Sequence, residues 1–117
     1  MDEIAVLGVG MHPWGKWGKN FVEYGVKAAR DALQDAGIPW TDVQFVSGAN
    51  TVRCGYPGYV SGSTFAGALG FTGAQVASSY AACASGATAL ATAIVTDRSV
   101  IPDEARKRLA PLVDKYL

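Results

Sequence analysis

The stretch Ala74-Gln75-Val76-Ala77-Ser78-Ser79-Tyr80-Ala81-Ala82-Cys83-Ala84-Ser85-Gly86-Ala87-Thr88-Ala89-Leu90 decides how the rest of the chain is read. Its first part reads as a strand. Its last part is a run of small residues that reads as a helix, and a cramped turn between them carries a cysteine. Such a turn presents the thiol at a helix N-terminus. The positive end of the helix dipole favours an anion there, and a thiolate so held is a nucleophile for acyl chemistry. The alternative reading of Cys83 is a small buried core residue, since free cysteine is often buried.

Outward from this stretch, helix and strand signals alternate. Residues 4–9 (Ile-Ala-Val-Leu-Gly-Val) form a short apolar run that reads as a buried strand. Residues 8–18 form a loop holding His12, Pro13, Trp14 and Trp17. Asn20 is placed as a helix N-cap. Phe21, Gly25, Ala28, Ala32 and Ala36 then recur at helical spacing up to Gly37, a natural stop. Residues 43–49 read as a second strand, 59–69 as a helix, 75–81 as a third strand and 83–95 as a helix. The order β-α-β-α-β-α predicts an α/β layered fold with a largely parallel sheet. Residues 96–117 read as a charged helical tail, in which Pro111 should kink or split the helix. The chain thus divides into residues 1–95 and the tail 96–117.

The 117 residues suit one small domain. Half are hydrophobic and 17% charged, which marks a globular chain. Lys plus Arg equals Asp plus Glu, so electrostatic capture by nucleic acid or an anionic membrane is not expected. The acidic start, Met1-Asp2-Glu3, is not a secretory signal, and the apolar stretch 81–95 is too short and too polar to span a bilayer. A reduced, cytoplasmic setting follows. Cys54, Cys83 and the single histidine form no metal-ligand pattern, and no cofactor is expected.

Other candidates are weaker than Cys83. His12 could serve as a general base, but no orienting acid lies near it in the sequence. Gly8-Val9-Gly10-Met11-His12-Pro13 follows the first apolar run and suggests a dinucleotide loop. The third glycine of that motif would fall at Pro13, and no helix starts there. Arg53-Cys54-Gly55-Tyr56-Pro57-Gly58-Tyr59 could be a binding loop or an ordinary tight one. Trp14, Trp17 and Trp40 could line a ligand pocket or cover a core or an interface.

Tyr80-Ala81-Ala82-Cys83-Ala84-Ser85-Gly86-Ala87-Thr88-Ala89-Leu90 resembles the nucleophile segment of the thiolase superfamily, in the branch of sterol-carrier-type thiolases and lipid-transfer proteins. Residues 4–12, 21–25, 28–33, 55–58 and 66–70 are similar to other segments of that branch in the same order, so the resemblance covers about residues 3–95. It implies a thiolase-like layered fold, of which this chain holds part of the N-terminal half. It also implies acyl-CoA substrates, with the cysteine matching Cys83 taking the acyl group. Related lipid-transfer members include aldolases that cleave steroid side-chain thioesters together with a small OB-fold partner. In those, Cys83 need not be the nucleophile.

The resemblance stops near Val95. In the family a second half supplies the catalytic histidine and a second acid/base group, and no residue of this chain matches them. The helix over 83–95 is apolar nearly all round and should need cover on every side. A homo-oligomer or a companion chain is therefore expected, with little or no turnover by the chain alone. A non-catalytic binding or assembly module is the alternative.

Overall fold

The computed structural model describes residues 4–51 and 61–96, the backbone of 97–100, and residues 107, 110 and 111. Helix α1 spans Phe21–Ala36. Its start is fixed reciprocally. Asn20 Oδ1 accepts from the Glu23 N–H at 3.0 Å, and Glu23 Oε2 accepts from the Asn20 N–H at 3.0 Å. Its end is equally defined. Gly37 has a left-handed φ of 71°, its N–H reaches Gln34 O, and the Ile38 N–H reaches Leu33 O at 3.2 Å.

A single 3-10 turn (Trp40–Asp42) leads into strand β1, Phe45–Ala49. Helix α2 (Ser61–Leu69) carries the chain over to strand β2 (Gln75–Ser79). The two strands are parallel, with Phe45 opposite Gln75 and Ala49 opposite Ser79. A parallel pair needs such a crossover. Helix α3 (Ser85–Val100) follows β2. Among the described residues, no helix is long and apolar enough to cross a membrane.

Neighbouring residues of β1 show the layering. Ser47 Oγ donates to Ala89 O of α3, whereas Gly48 lies against Gly62 of α2. Adjacent strand residues point to opposite faces, so α2 and α3 cover opposite sides of the sheet. The α2 side is close-packed because neither glycine has a side chain. A Cβ on Gly48 would sit 2.6 Å from the Gly62 backbone, and one on Gly62 would strike Ala77 O. The Gly62 N–H donates to Ser78 Oγ at 2.9 Å, which closes this contact. Helix α1 joins through α2, with Phe21 edge-on to Phe65 at 5.7 Å.

The fold is α/β, as the residue pattern predicts, but one expected strand is not formed. Residues 4–10 are not in a strand. They lie along α1, where the backbones of Gly8 and Gly10 press on Ala32 and Ala28. The Val9 N–H is taken by Asp35 Oδ2 at 2.9 Å. Contacts to a helix replace the ladder that the apolar run calls for. The order among the described residues is therefore α-β-α-β-α. Helix α3 continues to Val100, past the expected end at residue 95. Most of the tail lies outside the described residues; Lys107, Ala110 and Pro111 are helical and exposed.

Buried apolar side chains are few. Ala36 and Ala89 are the ones found among the described residues, while Leu90 and Val95 on α3 are 61% and 71% exposed. Ser61, Ser79 and Ser85 are buried as well, and no described buried side-chain polar atom lacks a partner.

Candidate functional site

Cys83 sits on the turn that joins β2 to α3. The turn is tight because its polar groups are satisfied internally. Ala84 N–H donates to Ala81 O at 2.9 Å, and Ser85 N–H to Ala82 O at 3.2 Å. Ser85 Oγ accepts from the Ala81 N–H at 2.9 Å and donates to Ala82 O at 2.8 Å. That hydroxyl is buried and ties the turn to the first residue of the helix. Ala82 has φ 47°, the left-handed conformation, and it is the one non-glycine residue with positive φ among those described. An L residue enters that region at a cost of roughly 1–2 kcal/mol.

The outcome is an exposed, free thiol immediately ahead of a helix N-terminus. Ala84 O accepts from the Thr88 N–H at 3.0 Å, so the helical ladder starts one residue after Cys83. The next amides, on Gly86 and Ala87, fall where a helix has no internal acceptor. Open space lies beside Gly86. Thiol, outward N–H groups and the positive helix end therefore share one corner of the molecule. The buried-core reading of Cys83 does not hold.

His12 is elsewhere. It lines a cleft of about 220 Å³ with Pro13, Trp14, Gly15, Trp17 and Tyr24, and Cys83 is not part of that cleft. The fold thus does not bring the two together there. Trp14 and Trp17 are in the His12 cleft. Trp40 instead donates its Nε1–H to Gly70 O at 2.8 Å and covers the apolar space between α1, β1 and α2. Residues 53–59, including Cys54, lie outside the described residues. No group of three or more metal-ligating side chains occurs among the described residues.

The residue pattern had not singled out Tyr24, Lys16 or Lys19. Tyr24 reaches the His12 loop from the first turn of α1, where its hydroxyl accepts from the Lys19 N–H at 3.2 Å. A tyrosine four residues after an N-cap was the available signal. No family model matches the chain, and no curated protein matches it.

Proposed function

We propose that the chain is the N-terminal portion of a thiolase-superfamily enzyme of the sterol-carrier or lipid-transfer type, making or breaking a C–C bond in a fatty or steroid acyl-CoA thioester in the cytoplasm. The exposed Cys83 thiol at the N-terminus of α3 carries the reading. Its sulfur attacks the thioester carbonyl carbon, the acyl group moves to Cys83, and coenzyme A leaves as the thiol. The unpaired N–H groups opening α3 are the donors this chain offers to the oxyanion. A general base and a leaving-group acid come from a companion chain or a second copy, so the chain alone turns over little. No cofactor beyond the thioester is needed.

The test is intact-mass spectrometry after incubation with acetyl-CoA. One acetyl group should appear on the native chain and none on Cys83→Ala. An acetyl group that persists in Cys83→Ala sinks the nucleophile role.

The exposure of Leu90 and Val95 favours a second reading, an assembly module that docks a partner over α3 without chemistry of its own. A small OB-fold protein or another copy would be that partner. Light scattering after size-exclusion chromatography separates the cases. A stable monomer at high micromolar concentration argues against self-assembly.

A further inference from the structure

The loop ahead of α1 carries a doublet that chemistry at Cys83 leaves unused, Trp14-Gly15-Lys16 followed at once by Trp17-Gly18-Lys19. Gly15 and Gly18 have φ of 147° and 70°, backbone that side chains rarely allow. With those bends both indoles line the His12 cleft. Four of its six lining residues carry aromatic rings: His12, Trp14, Trp17 and Tyr24. Three of these are held in place. Trp17 Nε1–H donates to Pro13 O at 2.9 Å, and His12 packs edge-on against Trp17 at 5.9 Å and Tyr24 at 4.6 Å. The fourth, Trp14, is 92% exposed, a face with nothing stacked on it.

Two further features narrow the ligand. Pro13 O can only accept, so His12 Nδ1, 2.9 Å away, carries the hydrogen. In that tautomer Nε2 is the acceptor nitrogen. Lys16 and Lys19 are both exposed, and neither has an ion-pair partner among the described residues. Aromatic faces attract cations or stack on planar rings. Two lysines on the loop that forms the cleft repel a cation and attract an anion. A nucleotide joins a planar ring to an anion. An acceptor nitrogen suits the exocyclic amine of adenine, which stands where guanine carries its O6. The cleft is smaller than the about 300–1,000 Å³ that encloses a whole drug-sized ligand, so it takes a base and leaves the rest outside.

We propose that the Trp-Gly-Lys doublet binds an adenine nucleotide, with the base stacked among Trp14, Trp17 and Tyr24 and the phosphate held by Lys16 and Lys19. This is capture by stacking, unlike the glycine-rich phosphate loop that Pro13 rules out. It does not rest on the thioester reading. Where both hold, the adenine end of coenzyme A is the ligand they share.

Titration of the full chain with AMP, followed by tryptophan fluorescence, tests it. Saturable quenching is expected, with adenosine and GMP each at least fivefold weaker and inorganic phosphate silent. Trp14→Ala should weaken AMP binding about tenfold, in the range of one lost stacking contact. Its side chain is exposed, so the fold survives the change. Replacing both lysines by alanine should lower AMP to the affinity of adenosine. Cys83→Ala should return the native midpoint, which separates this proposal from failure of the thiol chemistry. Coenzyme A binding as tightly as AMP would support a carrier-bound nucleotide, and AMP binding more tightly would support a free one. No saturation at millimolar AMP, an unchanged Trp14→Ala, or tighter binding of an oligodeoxyadenylate strand than of AMP would overturn it.

Discussion

Ser47 Oγ donates to the carbonyl oxygen of Ala89 at 2.7 Å and fastens α3 to the middle of β1. The bond spans 42 residues of sequence and joins the sheet to the helix that follows Cys83. Ser47→Ala should cost about 1 kcal/mol, the usual net value of one such bond. Urea unfolding would show it as a lower midpoint with the same slope. An unchanged midpoint would mean the bond adds nothing to the packing around it.

Two glycines of the same fold should respond in opposite directions. Gly62 has no room, since a Cβ there meets Ala77 O, and Gly62→Ala should destabilise by about 1–3 kcal/mol. Gly86 faces open space in the first turn of α3, so Gly86→Ala should stabilise by roughly 0.5–1 kcal/mol. Thermal unfolding of the two variants side by side checks the sign. The same sign for both would contradict the packing described between α2 and the sheet.

Much of this architecture is legible in the residues. Asn20 and Gly37 bound α1 in the pattern as they do in the structure, because caps are local chemistry. The strand–helix–strand unit and the Cys83 turn are likewise local. Residues 4–9 are different. Their apolar run is compatible with a strand, and whether a strand forms depends on which backbone lies beside it. Two glycines seated on α1 and one carboxylate at Asp35 decide that, and neither contact can be read from the run itself. The Trp-Gly-Lys doublet stands plainly in the sequence. That its rings meet His12 and Tyr24 depends on two positive φ angles and on where α1 begins.

Iodoacetamide should modify Cys83 in the folded protein without denaturant, because the thiol is exposed. Peptide mapping after brief exposure would locate the label. Protection of Cys83 until urea is added would place the thiol inside the protein and remove the basis of the acyl-transfer reading.

The capping box at α1 gives a separate handle on the aromatic loop. Asn20→Ala should lose about 1 kcal/mol of stability, typical of a lost side-chain cap. Tyr24 stands on that first turn and holds the Lys19 N–H, so AMP affinity should fall as well. Circular dichroism melts and the fluorescence titration read the two effects. Loss of stability with unaltered AMP affinity would uncouple the helix start from the cleft.

The left-handed Ala82 sets what a variant library at this turn can return. Its φ of 47° admits glycine with least strain, then asparagine and aspartate. Valine, isoleucine and threonine are shut out, because their branched Cβ collides with the backbone there. A selection that scores only folding should enrich glycine at position 82. A selection that scores reactivity of the neighbouring thiol should hold alanine, since glycine widens the range of directions in which Cys83 can point. The residue that substitution statistics would favour for stability is thus the one that would blur the aim of the sulfur beside it.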